Sequence, residues 1–270
     1  MLKRTLLLMT LGLISPEMLL STLPTIAAPI PSIAQFNNQR SIPRLKPRRR
    51  SLLKFKIPGI RGSRNLEAGA ARGKCSPQII SAVLPPKPAA IAANQIPVEL
   101  TISERPTFFV NVPQTSAKEA GFLLWNEDGE EILDKTLSVT ATQGILSYTL
   151  PADFSGLEVG KKYRWRFSLL CDQTGGDRSA DPVASGWIER VEPSATITKQ
   201  LQTATNKQRV LIYAENGYWH DTLKALADLR AANPNDLTLL RDWDDLLLSV
   251  GLEEIANRPL IPLNAVTASN

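Results

Sequence analysis

The 270-residue sequence holds one histidine, His220, two cysteines, Cys75 and Cys171, and three methionines. Each scarcity closes off a chemistry. One imidazole and two distant thiols cannot assemble a Cys/His metal centre. A Ser-His-Asp triad would have to use His220, and no Gly-x-Ser-x-Gly turn is present to carry its serine. Cys75 and Cys171 are not a C-x-x-C redox pair. There is no glycine-rich phosphate loop, since Gly175-Gly176 precedes Asp177 in a polar loop. That loop, Cys171–Asp181, carries three carboxylates without the spacing of a calcium-binding EF-hand. After residue 34 no segment is long and apolar enough to span a bilayer.

Charge of one sign is also missing locally. The net charge is +5, but residues 35–74 hold twelve Lys/Arg against one acid, Glu67. Residues 75–270 hold seventeen Lys/Arg against twenty-four Asp/Glu. A basic arm of +11 therefore precedes an acidic body of −7.

Met1–Ala34 reads as a cleaved secretory signal. Lys3 and Arg4 form its positive end and Leu6–Ile14 its apolar run. Ser32 and Ala34 offer a small-residue cleavage site, with cleavage after Ala27 as the alternative. Pro16, Glu17 and Pro24 interrupt the apolar run and speak against an uncleaved anchor. Residues 35–74, centred on Arg48-Arg49-Arg50, show neither helical nor strand periodicity and are expected as a disordered linker. The linker acts either as a soluble tether or as an anchor on an anionic membrane, where each basic residue contributes about 1 kcal/mol. Nucleic acid is not an expected partner of an exported chain.

From Cys75 the pattern changes to short β-rich runs: Pro97–Ser103, Thr107–Val112, Gly121–Trp125, Glu131–Val139, Ile145–Leu150, Lys162–Cys171 and Ala184–Val191. Asn126-Glu127-Asp128-Gly129 marks a hairpin. In Lys162–Cys171, Tyr163, Trp165, Phe167, Leu169 and Cys171 share one face, with Lys162, Arg164, Arg166 and Ser168 on the other, as only a half-buried strand allows. Leu157 six residues before Tyr163 fits a tyrosine corner, in which the phenol bonds backbone just upstream. The expected fold class is α+β, an antiparallel immunoglobulin- or fibronectin-like β-sandwich over 75–193. An even cysteine count in an exported chain favours a Cys75–Cys171 disulfide over two buried thiols.

Residues 194–262 turn helical. Lys207–Asn216 ends at Gly217, and Trp219–Ala232 stops before Asn233-Pro234. A third helix capped by Asp236 places Leu239, Leu240, Trp243, Leu246, Leu247 and Val250 inward and ends at Gly251. Arg209–Asp236 resembles a single tetratricopeptide repeat, which cannot bury its own face and must dock on the sandwich or on the third helix. Residues 263–270 are expected as a disordered tail.

The phrases Glu104-Arg-Pro-Thr-Phe-Phe109, Val112-Pro-Gln-Thr-Ser116, Gly186-Trp-Ile-Glu-Arg-Val-Glu-Pro193 and Tyr213-Ala-Glu-Asn-Gly217 resemble an uncharacterised, largely cyanobacterial family, the domain of unknown function 928. The resemblance covers Arg72 to Pro262. It implies a secreted or cell-envelope protein and supplies no activity.

The expectation is therefore a periplasmic or secreted protein without enzymatic activity, metal or cofactor. Its partner is an envelope protein or a glycan. The alternative is a carbohydrate-binding sandwich. A carboxylate-based glycosidase ranks lower; its candidates are Glu127, Asp128, Glu130 and Glu131, or Asp242, Asp244 and Asp245. Buried Trp125, Trp165 and Trp187 would favour the interaction module over the glycan binder. If the arm anchors the protein, vesicle co-sedimentation should show binding to anionic but not neutral lipid, weakening as salt screens charges beyond about 8 Å. Equal binding to both vesicle types would leave only a tether.

Overall fold

The strand Lys162–Leu170 (β8) shows how this sequence becomes a sheet. Tyr163, Trp165, Phe167 and Leu169 are buried, and the intervening basic residues are half-buried on the opposite face. The computed structural model describes residues 53–58, 62–63, 75–87, 95–140, 142–172 and 178–264. The expected signal segment, most of the expected linker and the last six positions lie outside the described residues.

β8 lies within a six-stranded sheet ordered β1 (Gly62–Ser63), β3 (Ile96–Thr101), β9 (Val183–Arg190), β8, β5 (Glu119–Trp125) and β6 (Glu131–Ser138). A four-stranded sheet has the order β10 (Leu260–Pro262), β7 (Gly144–Thr149), β4 (Thr107–Val112) and β2 (Ser81–Ala82). The sheets share one core. The Phe108 ring of β4 is 4.9 Å from Phe122 of β5 and 5.1 Å from Trp165 of β8. All seven expected strands are present, with ends displaced by two residues at most.

The local signals act through identifiable bonds. Asn126 Oδ1 accepts the backbone N–H groups of Asp128 and Glu130, at 3.1 and 2.9 Å, and Gly129 adopts φ +85° to close the hairpin. The Tyr163 hydroxyl accepts the Glu158 backbone N–H at 2.9 Å, five residues upstream. The expectation of wholly antiparallel pairing is corrected at two places, because β3 runs parallel to β9 and β7 parallel to β10. Parallel neighbours need a long crossover. For β3 and β9 the crossover is most of the sandwich, and for β7 and β10 it includes the helices.

Helices α1 (Ala195–Thr203), α2 (Asn206–Glu215), α3 (Trp219–Ala232) and α4 (Leu237–Leu248) form a third layer. α2 begins in a capping box between Thr205 and Gln208, and Asp236 caps α4 by accepting the Thr238 N–H. α1 buries none of its residues, so no apolar stripe announced it as an element. In α4, Leu240 is exposed rather than inward, although it lies about 20° around the helix from buried Leu247.

β4 is buried along its whole length because it separates two cores. Phe108, Val110 and Val112 face the other sheet, while Phe109 joins Val83 and Ile145 against Trp219, Leu223, Trp243 and Leu246 of the helices. Within the expected linker, Leu53 and Phe55 belong to this helical core. The signal for this was Leu53-Lys54-Phe55-Lys56-Ile57, a period-two run inside a stretch of biased composition. Leu263, expected in the tail, is also buried, and its N–H donates to Ser147 O at 2.7 Å.

Cys75 and Cys171 stand at disulfide distance, Sγ to Sγ 2.04 Å and Cα to Cα 5.1 Å. Cys75 O accepts the Ser116 N–H at 2.9 Å and the Thr115 hydroxyl at 3.0 Å, so the bridge fastens the start of the body beside β5. Closing a loop of this length is worth about 4.7 kcal/mol on chain-entropy grounds. Cys75→Ser and Cys171→Ser should each cost about 2–5 kcal/mol, and the double variant little more, because both remove one bond. Thiol titration of denatured, unreduced protein and thermal unfolding of the three variants check this. Two free thiols, or additive losses, would refute the bridge.

Candidate functional site

Helix α3 opens with Trp219-His220-Asp221, and each of the three side chains bonds backbone in the β-layers. Trp219 Nε1–H donates to Val83 O at 2.8 Å. His220 Nδ1 is 3.0 Å from Thr107 O, and since a carbonyl only accepts, Nδ1 carries the proton. The Asp221 carboxylate accepts the Ile102 N–H at 3.2 Å, with further bonds from the Thr101 hydroxyl and the Ser103 N–H. This seam fixes the angle at which α2 and α3 leave the β-layers.

A cleft of about 430 Å³ opens beside the seam. Arg105, Pro106 and Thr107 form one wall, Asn206, Arg209 and Tyr213 of α2 another, and the α3 residues from His220 to Asn233 the third. Pro106, Ala225 and Leu229 supply apolar surface, and charges of both signs surround it. Arg105 donates Nε and Nη2 to Phe154 O, at 3.1 and 2.9 Å, and pairs with Glu104. Lys224 pairs with Asp228 one turn along α3. Arg209 Nε donates to Ala204 O at 3.3 Å.

The cleft is electrostatically tuned by burial. Burial pushes the Asp221 carboxyl up to about 6, against the opposing effect of its hydrogen bonds. His220 is 1% exposed. Its burial pushes it down to about 4, so it is neutral at pH 7. Its Nε2 has no hydrogen-bond partner. Burial, followed by the nearby Asp221 charge, raises the Tyr213 phenol, while Arg209 opposes the rise.

The residues singled out from sequence lie elsewhere. Glu127 pairs with Lys161 at 3.1 Å and Glu130 accepts from Asn126, so these two hairpin carboxylates are spent on the turn and its neighbour. Asp242 pairs with Lys207 at 3.1 Å. Asp181 is buried and accepts the Cys171 N–H at 3.0 Å, while Asp177 lies outside the described residues. A second, more open cavity of about 610 Å³ lies between Glu130, Lys135, Asp153 and Glu158. Among the described residues no three His, Cys, Asp or Glu side chains cluster as a metal site, and no helix is long and apolar enough to cross a membrane. Trp165 and Trp187 are buried. Trp125 is half-buried, with the Arg164 and Arg166 guanidiniums 4.5 and 5.7 Å from its ring centre.

Residues 62–260 match the family model described as Domain of Unknown Function (DUF928). The chain belongs to this family. None of the curated proteins matches it. Two of the family-like phrases have clear duties in the fold. Thr115 and Ser116 hold Cys75, and a Cβ on Gly186 would fall 2.9 Å from Trp165 Nε1. The other two phrases meet at the cleft through Arg105, Pro106, Thr107 and Tyr213. Sequence reasoning missed Arg209, Asp221 and Lys224. The one available signal was an acid, Asp221, in a helical first turn directly after the sole histidine.

Two opposed titrations follow from the seam. His220 has a folded pKa below its unfolded 6.5, so its contribution to stability falls as pH drops from 6.5 towards 4. Asp221 has a folded pKa above its unfolded 3.8, so its contribution rises as pH drops through 6. Each changes stability by up to about 1.4 kcal/mol per pH unit. Against wild type, Asp221→Asn should therefore lose stability more steeply between pH 6 and 4, and His220→Gln less steeply. Glu99, buried and raised to about 7, is common to all three proteins and cancels in the comparison. Urea unfolding across pH 4–7 measures the slopes, and parallel slopes would show that neither group titrates in that window.

Proposed function

We propose that the protein is an exported, non-enzymatic interaction module of the cell envelope, and that the cleft between Arg105–Thr107, α2 and α3 receives its partner. The carrying observation is the make-up of the cleft: an apolar surface ringed by charges of both signs, each already held by a partner within the protein. Such a surface suits a polypeptide segment, which presents apolar and charged side chains together. The export reading rests on the signal-like start and the paired cysteines. In this reading the β-layers are an immunoglobulin- or fibronectin-type sandwich, supported by the strand order and the Tyr163 bond, and α2–α3 is a tetratricopeptide-like pair.

The carbohydrate reading has Trp125 in its favour. Sugar stacking uses open aromatic faces, and the Trp125 ring already carries two guanidiniums. Trp165, Trp219 and Trp243 are fully buried.

A photo-crosslinking residue at position 213 should capture a protein from intact envelopes, and one at the exposed hairpin position 131 should not. Arg209→Glu should reduce the capture about tenfold, equivalent to roughly 1.4 kcal/mol. Capture at both positions alike, or a charge reversal without effect, would remove the cleft from the function. Crosslinks to polysaccharide would move the assignment to the carbohydrate reading.

A further inference from the structure

Leu53–Pro58, which is in neither helix nor strand, lies against the helical unit with alternate side chains buried, seated in the manner of a ligand. Leu53 and Phe55 are 3% and 7% exposed, while Lys54, Lys56 and Ile57 are exposed. The Phe55 ring meets Trp219 edge-on, 4.7 Å between centres. The Phe55 N–H donates to Ser249 Oγ at 3.1 Å, and the Lys56 N–H to Ala214 O at 3.0 Å. Pro58 covers Gly217 so closely that a Cβ there would fall 2.9 Å from its Cδ.

The anchors of this segment are the C-terminal ends of α2 and α4. Ala214 is in the last turn of α2, and Ser249 caps α4. Helix C-termini carry partial negative charge, and the two lysines alternate with the apolar anchors beside them. Alternate side chains buried, with backbone hydrogen bonds between them, is how extended peptides are recognised. The segment also precedes residues 62–260, which match the family. The groove walls that it touches belong to that span, but the filling does not.

We propose that Leu53–Pro58 is a detachable ligand held in cis, plugging a peptide-docking groove between the C-terminal ends of α2 and α4. The partner that displaces it is an extended segment of the same pattern, two apolar residues two positions apart with a lysine or arginine between them. A tethered ligand experiences an effective concentration of order millimolar, so a weak intrinsic affinity fills the groove and a tighter competitor empties it. The groove shares no residue with the cleft, and its test does not depend on what the cleft binds.

The probe is a fluorescent peptide of residues 51–58, tested on the full chain. Leu53→Ala/Phe55→Ala should leave the groove open, bind the probe at least tenfold more tightly than wild type, and regain Tm as probe is added. A probe with both anchors changed to Ala should bind neither protein. Equal binding by variant and wild type, or no binding by a variant that keeps its near-UV circular dichroism, would overturn the proposal. Should the double variant fail to fold, a protease site inserted between Pro58 and Gly62 of the otherwise wild-type chain gives the second measurement. After cleavage the probe should exchange into the groove, and a plug that millimolar probe cannot displace would overturn the proposal equally.

Discussion

Three side chains in succession at the start of α3 reach across to backbone groups of the β-layers, and the rest of the molecule depends on that seam. Trp219, His220 and Asp221 bond Val83 O, Thr107 O and the Ile102 N–H respectively. Backbone polar groups at strand ends and on a short edge strand would otherwise need water, and the apolar bodies of Trp219 and His220 exclude it. A helix sitting on a sheet through apolar contact alone can slide or rotate at little cost. Three directional bonds within one turn remove that freedom. The cleft exists because α2 and α3 are held at that angle over the segment Ser103–Thr107.

The sandwich was largely legible in the sequence, because a half-buried strand writes its period directly into the residues. Tyr163-Arg-Trp-Arg-Phe is unmistakable in that sense, and so is Asp128-Gly129. What stayed hidden follows a physical pattern. β10 has three residues and is set by its register beside β7, not by its own sequence. β2 has two. α1 buries nothing, so it carries no stripe. Leu53 and Phe55 follow a legible period of two, but the basic, proline-rich stretch around them masked it. The candidate site was the least legible part. Arg105, Arg209 and Lys224 are ordinary surface cations until the fold brings 104 positions of chain separation, from Arg105 to Arg209, down to one cleft.

The distribution of polar groups narrows the chemistry more than their number does. The sole imidazole is neutral and fully enclosed, with its proton committed to Thr107 O. Of the carboxylates expected as paired candidates, Glu127, Glu130 and Asp242 are bound to Lys161, Asn126 and Lys207. Asp221 is the exception, a carboxyl raised by burial and placed at the edge of a cavity. Groups with raised pKa values at cavity edges are candidates for proton transfer. Asp221 instead spends its acceptor capacity on Thr101, Ile102 and Ser103, so its burial is explained by docking α3 and leaves little for a substrate.

The helical unit also illustrates why two packed helices need not be continued into a solenoid. Two helices with broad apolar faces require a neighbour, and in a solenoid the next repeat provides it. Here Val83, Phe109 and Ile145 provide it from the outer face of the four-stranded sheet, and α4 covers the remaining side. With both flanks of α2–α3 filled, the concave surface that repeats use for binding is not available. Beside the helices the docking leaves the cleft next to the seam, the groove at the helix C-termini, and a cavity of about 420 Å³ between α3, Ser147–Thr149 and Leu260–Asn264. The chain fills the second of these itself with Leu53 and Phe55. A bulkier side chain on α2 or α4 would close the same space at a lower entropic cost than ordering the six residues Leu53–Pro58, which is why that segment reads as a ligand and not as filler.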